Sequence, residues 1–336
     1  MRVVFLASVV LLMACRRDEA LVQEVANPAY ALHLAPGAPP MPVPVQNPLT
    51  VASVELGRKL FFEQRFSSPA TISCASCHHP ATAFSDTVAL SIGSNGNPGF
   101  RNAPTLSNVG YQPVLLMDGG VPDLEFQALV PIHDELEMNS DIYAVAALLG
   151  DEEPYKSLSQ LAYGRPLDPY VITRALACYE RTLVSGWSRW DRYAHANDAS
   201  ALTPQELNGW AIFSSASANC TVCHNGFDLT DHDFHNVGLT TDHSADEGRA
   251  RITLQPSDVG KFKTPTLRNI ALTAPYMHDG SLATLEEVVE HFASGGLPQA
   301  NLSPEMQPFT LTPQEKADLV AFLEALTDDR SLDQVP

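Results

Sequence analysis

The chain holds 336 residues, room for two domains of ordinary size. Asp and Glu number 39 against 20 Lys and Arg, a formal charge of −19. That balance argues against nucleic acid as a partner and suits encounter with a basic or dipolar protein.

At the N-terminus, Arg2 supplies a positive start and Val3 to Ala14 forms an almost unbroken apolar run. The run is too short for a membrane-spanning helix and reads as a secretory signal. It ends in Leu12-Met13-Ala14-Cys15, which resembles a bacterial lipobox. The resemblance implies removal of residues 1–14 and lipidation of Cys15; a plain signal peptide with an incidental Cys15 is the alternative. Residue 16 is Arg rather than Asp, so nothing here resembles an inner-membrane retention signal. The expectation is a periplasm-facing lipoprotein at the outer membrane. Residues 15–48 carry Pro at 28, 36, 39, 40, 42, 44 and 48, the composition of an extended tether.

The globular part is predicted to begin near Val51. Cys74-Ala75-Ser76-Cys77-His78 is followed much later by Cys220-Thr221-Val222-Cys223-His224. Cys-x-x-Cys-His is the pattern of covalent haem c attachment, with two thiols for the vinyl groups and the His for the iron. Zinc-type Cys pairs lie about 15–20 residues apart, far closer than these. Two disulfides would leave both histidines unexplained. Between the motifs, Ile172, Ala175, Leu176 and Tyr179 have helical spacing around Cys178, which predicts a buried, inert thiol. Asn197 to Ser200 is the expected boundary between an N-terminal haem domain, 49–198, and a C-terminal one, 199–336. Thr203-Pro204-Gln205-Glu206 is a helix-opening capping box with Pro at the first helical position, repeated as Thr312-Pro313-Gln314-Glu315. Thr284 and Glu287 form a third box, whose helix places Leu285, Val288, Val289 and Phe292 on one face.

Several further segments, including Arg101-Asn102-Ala103-Pro104-Thr105, Asp118 to Met138 and Phe262 to Gly280, resemble the bacterial di-haem cytochrome c peroxidase and MauG superfamily. The MauG-like branch, with the MbnH type that modifies a partner protein, is the nearer likeness. The resemblance implies an all-α fold of two cytochrome c-like haem domains with a calcium ion between them. It makes the first haem peroxidatic and the second an electron relay.

On that resemblance His78 is the proximal ligand of the first haem and His224 that of the second. Relatives that rest with both iron positions filled have a second His in the loop after the first motif. Here that loop, Leu90 to Gly96, has none, which predicts an open position; His133 is the nearby rival. The family's Gln and Glu, ten residues apart, fall on Gln127 and Glu137, with Glu135 as the rival carboxylate. Glu137 would move the peroxide proton and Gln127 would orient the peroxide. Calcium takes oxygen ligands, and the resemblance places them at the Asn102 side chain and the carbonyls of Thr273 and Pro275.

Two positions depart from the family. The second haem's other ligand, Met or Tyr in relatives, lies fourteen residues after the His of the Tyr-x-His-Asp-Gly segment; after His278 that position is Phe292, which has no donor atom. His232, His235 and His243 are alternative candidates, and His291 is expected to face outward. Between the haems, Met117 stands where the family has a bridging Trp. Trp187, Trp190, Trp210 and Tyr276 are other stations for an electron, each with core packing as its plain reading. The expected activity is reduction of hydrogen peroxide with electrons from a small periplasmic cytochrome c or copper protein. The alternatives are peroxide-dependent oxidation of side chains on a partner protein, as in MauG, and a non-catalytic electron carrier with two closed irons.

Overall fold

A computed structural model of the protein describes residues 26–330 and 332; residues 1–25, with Cys15 and the signal segment, lie outside the described residues. The helices are α1 (Val51–Phe61), α2 (Leu124–Gln127), α3 (Leu129–His133), α4 (Ile142–Leu149), α5 (Tyr155–Tyr163), α6 (Pro169–Glu180), α7 (Arg189–His195), α8 (Pro204–Phe213), α9 (Ala250–Thr253), α10 (Leu285–Ser294) and α11 (Pro313–Glu324). They build two helical units with separate apolar cores. No helix among the described residues is long and apolar enough to cross a membrane.

Both units are built alike. Thr50 caps α1 in a reciprocal box with Ser53, and Asp168 caps α6 with Pro169 in its first turn. These helices bury Leu56, Leu60 and Phe61 against Val171, Ile172 and Leu176. They cross where Gly57 meets α6, so closely that a Cβ at 57 would stand 1.9 Å from the Ala175 carbonyl oxygen. The second unit repeats the device. Its two Thr-Pro-Gln-Glu boxes open α8 and α11 with the reciprocal bonds the sequence predicts. The helices cross at Gly209, whose Cβ would lie 2.0 Å from the Asp318 carbonyl oxygen. Backbone cannot give way as a flexible side chain can, so Gly57→Ala and Gly209→Ala should each cost about 1–3 kcal/mol or more. Urea unfolding of the holoprotein checks this; a loss under about 0.5 kcal/mol, the ordinary surface range, would contradict the crossing.

Trp190, carried by α7, packs in the second core with Phe322 of α11. The all-α expectation needs one amendment. Strands β1 (Phe234–His235) and β2 (Phe262–Lys263) pair antiparallel, Phe234 with Lys263 and His235 with Phe262. This two-residue ladder has no period to read in sequence; it forms where the Asp233 and Thr264 backbones are drawn together.

The expected tether is also corrected over 26–48. The segment is extended, but it is bound to the first unit. Tyr30 N–H donates to the Leu49 carbonyl at 2.9 Å. Pro42 accepts from Arg181 Nε at 3.1 Å and Pro39 from the Tyr111 hydroxyl at 2.9 Å. Asn47, 1 % exposed, donates to Glu125 and accepts from the Cys178 thiol. Proline favours an extended path while leaving its carbonyl free to accept, so the composition that suggests a linker here makes a strap. Cys178 is buried, as its helical setting predicts.

The units are joined by polar contacts. Arg101 bridges Asp118 and Asp246. Asn108 donates to the Ser185 carbonyl and to Asp228. Lys263 N–H donates to the Met117 carbonyl at 2.8 Å.

Candidate haem and peroxide sites

The two Cys-x-x-Cys-His segments fold alike, though an extended Ser73 leads into the first and a left-handed Asn219 into the second. Each opens as a short 3₁₀ turn, Cys74–Ser76 and Cys220–Val222. Each folds the His N–H back onto the first Cys carbonyl at 2.9 Å. All four thiols are unpaired and half-buried. His78 Nδ1 is 2.9 Å from the Phe84 carbonyl oxygen, and His224 Nδ1 is 3.0 Å from that of Leu229. A backbone carbonyl makes Nδ1 the protonated nitrogen and leaves Nε2 as the donor for a metal. Burial pushes the pKa of both imidazoles down, which favours the neutral, ligating form. The carbonyls reach the rings because Ala83, Phe84 and Leu229 take left-handed backbone, φ 53°, 60° and 52°. Such residues cost about 1–2 kcal/mol each. The donor set therefore fits two covalently held haems.

Glu137 stands in the loop after α3. Its side chain is exposed to solvent, yet the protein packed around it disfavours the charged form. That burial first, and Asp134 second, push its carboxyl up to about 7. Its charge is felt by the thiols of both Cys74 and Cys77, which places it within electrostatic reach of the first attachment site. The loop without a His holds it there. Ser94 N–H donates to the Glu137 carbonyl at 2.7 Å, and Asn95 Nδ2 to that of Glu135 at 2.7 Å. Gly93 allows the approach, since a Cβ there would meet the Leu136 carbonyl oxygen at 2.0 Å. Gln127 ends α2, half-buried. His133 is exposed, with Nδ1 2.8 Å from the Leu129 carbonyl of its own helix. Glu135 is exposed as well.

Asn102 is buried, and its amide nitrogen donates to the Val88 and Ala89 carbonyls at 3.2 and 3.1 Å. That leaves Oδ1 turned the other way. Its backbone N–H donates to the His278 carbonyl at 2.9 Å, which ties it to the loop carrying Thr273 and Pro275. Amide oxygen and backbone carbonyls are the ligand types a hard cation takes.

Phe292, at the position expected for the second haem's other ligand, is half-buried on α10, edge-on to the neighbouring His291 ring at 5.5 Å. His291 does not face outward: Nε2 bonds the Val237 carbonyl at 2.9 Å. His235 has Nε2 2.9 Å from Asp231 and Nδ1 3.9 Å from Glu305, and lies 3.7 Å from the Cys223 sulfur, on the attachment side. His243 Nε2 is 2.8 Å from the Gln299 amide oxygen. His232 is half-buried with φ 58°.

Some groups are invisible to motif reading. Burial pushes the Glu180 carboxyl up to about 8 within electrostatic reach of Cys74, and lowers the Lys263 ammonium, which donates to the Val114 carbonyl at 2.6 Å, to about 8. Gly93 could have been suspected only as a glycine in the loop where a ligand His was sought.

Two cytochrome-like helical units, each presenting a haem-attachment turn with an oriented His, define a di-haem c-type cytochrome. Comparison with known proteins agrees and goes further. Residues 51–199 match the family described as di-haem cytochrome c peroxidase, and residues 207–327 match cytochrome c. The methylamine utilization protein MauG of Methylophilus methylotrophus is 37 % identical over 90 % of this chain and 92 % of its own. A cytochrome-c peroxidase of Denitromonas iodatirespirans is 36 % identical over 86 % of this chain and 85 % of its own. A crystal structure of a MauG-like protein associated with microbial copper homeostasis superposes with TM-score 0.85 at 35 % identity, over 92 % of this chain and 98 % of that one. The chain belongs to the di-haem cytochrome c peroxidase and MauG family.

Proposed function

We propose that the protein reduces hydrogen peroxide to water at its first haem, with electrons that enter through its second unit from a small redox protein of the periplasm. The observation that carries this reading is Glu137, a carboxyl with its pKa raised to about 7 within electrostatic reach of the Cys74–Cys77 turn, beside a loop that holds no competing His. When bound, the haem supplies iron as the place where the oxygen–oxygen bond breaks and as a reservoir of electrons. The side chains then manage the protons. Glu137 would take the proton from one peroxide oxygen and deliver it to the other, which would leave as water. A pKa near the working pH lets one carboxyl do both. Gln127 orients the peroxide. His78 and His224, each with Nδ1 committed to a carbonyl, hold the two irons. Asn102 Oδ1 and the carbonyls of Thr273 and Pro275 hold a calcium ion that pins the two units together. Lipidation at Cys15 anchors the enzyme to the outer membrane, with the peroxide site facing the periplasm.

The second reading is peroxide-dependent oxidation of a partner protein. It is favoured by Phe292, which replaces the thioether that would raise the potential of an electron-entry haem, and by the 37 % identity to MauG. A single set of measurements separates the readings. Peroxide added to the holoprotein should change the first haem's absorption within one turnover, and carbon monoxide should bind the reduced form. Fast turnover with reduced cytochrome c would support peroxide removal; slow turnover with a long-lived oxidised enzyme would support partner oxidation. If neither carbon monoxide nor cyanide binds, the iron is closed on both sides and only the electron-carrier reading stands.

A further inference from the structure

A line of aromatic rings runs from the surface of the second unit to the ligand of its iron. Tyr193, half-buried on α7, has its ring centroid 5.9 Å from that of Trp190. Trp190 is 4.4 Å from Trp210 on α8. Trp210 stacks on Phe213, one helical turn further, at 6.0 Å and 27°. Phe213 is 6.5 Å from the His224 imidazole. Phe322 from α11 packs against Trp190, Trp210 and Phe213 at 5.2–5.4 Å and fixes their order.

We propose that Tyr193, Trp190 and Trp210 form an electron relay, through which reducing equivalents pass from a donor docked at Tyr193 to the second haem. The proposal rests on the peroxidase reading and names where its electrons enter. Space-filling alone does not explain the choice of residues. The helix crossing of the first unit is filled by Phe61, Phe84 and Tyr179 without a Trp. The chain has three Trp, and two stand in this line. The third, Trp187, lies under the Arg330 guanidinium, 3.0 Å from its ring centroid. A cation on the ring face opposes loss of an electron from it, so Trp187 is not a station. Phe213 is a bridge and is not itself oxidised.

The balance is that of peroxide reduction. Each peroxide takes two electrons and two protons and leaves as two waters. Peroxide is the oxidant: by withdrawing electrons from the haem pair it would leave the second haem short of an electron, which it would draw from Trp210; Trp210 is then refilled by Trp190, and Trp190 by Tyr193, one electron at a time. Tyr193 then lacks one electron and its phenolic proton until the donor protein returns the electron and water returns the proton.

The test uses the holoprotein with hydrogen peroxide, no donor, and the spin trap 2-methyl-2-nitrosopropane, followed by peptide mapping. The trap should mark Tyr193 in the wild type and in Trp190→Tyr, whose ring can still be oxidised. The mark should fall to background in Trp190→Phe and Trp210→Phe, whose resting haem spectra stay unchanged, and persist in Trp187→Phe. Tyr193→Phe, at a half-exposed ring, should fold normally and shift the mark back to Trp190 or Trp210. A Tyr193 mark that survives both Trp→Phe variants, or never forms while the wild type consumes peroxide, overturns the relay. Failure of the wild type to react with peroxide at all would instead overturn the peroxidase reading, and the relay with it.

Discussion

Glu137→Gln should slow the reaction of the holoprotein with peroxide by about 10²-fold or more, the usual worth of a positioned general base. The amide is nearly the same size, so the backbone contacts from Ser94 to Glu137 and the approach of Gly93 to Leu136 should survive. Only the ability to accept and return a proton is lost. The pH dependence gives a second readout. The carboxylate is the active form, and its pKa is raised to about 7. The wild-type rate should therefore be level above that pH and fall about tenfold per unit on acidification below it. The variant should lack this acid limb. Stopped-flow absorption of the first haem measures both. A variant within a few-fold of wild type, or one that keeps the limb, would transfer the proton work to another group, with the Glu180 carboxyl the first to examine.

The largest effect on stability is expected from Arg268→Met. Arg268 is 1 % exposed and Asp191 2 %. The guanidinium donates to both Asp191 oxygens at 3.0 Å and from Nε to the Phe227 carbonyl at 2.9 Å, and lies 4.1 Å from the centroid of the Phe227 ring. Asp191 in turn accepts from the Ser188 N–H and hydroxyl, closing the capping box of α7. Met fills much of the volume but leaves a carboxylate buried without its partner, which costs about 3–5 kcal/mol. Burial pushes the Asp191 pKa up, but the hydrogen bonds and charge of Arg268 outweigh it and hold the group below its ordinary value. The pair's stabilisation is therefore present above the unfolded carboxylate range, about pH 4, and is lost as pH falls through the lower folded value. In the variant, burial of Asp191 is no longer opposed by Arg268 and raises its pKa, so the stranded carboxyl takes up a proton as pH falls; the deficit should therefore be largest at pH 7 and shrink toward pH 4. Asp191→Asn in the variant background should recover part of it, because the stranded charge is gone. Urea unfolding at the two pH values decides; equal deficits would mean that lost packing, and not the buried charge, sets the cost. Arg268 also braces the turn from His224 to Leu229 through Phe227, so incomplete loading of the second haem should accompany the loss.

The parts legible in sequence are those whose bonds close within a few residues. The capping boxes at Thr203, Thr284 and Thr312 form as written, because donor and acceptor are three residues apart and need no other part of the chain. The Cys-x-x-Cys-His turns form for the same reason, one turn bringing each His N–H to its own first Cys. The helical stripe around Cys178 is likewise read from one period and ends in the core. Contacts between distant segments carry no such signal. Nothing near Gly57 or Gly209 announces that a carbonyl from another helix will close on it. The proline-rich strap looks like a free linker until Arg181 and Glu125, far along the chain, supply its partners. His291 lies on the outer side of a helical wheel, yet a distant loop at Val237 covers it. The pKa of Glu137, and so its fitness as a proton carrier, depends on the burial that folding gives it and on the Asp134 charge. Residue types and their short spacings state which groups can ligate or titrate; the folding of remote segments onto them sets their dielectric, orientation and reach.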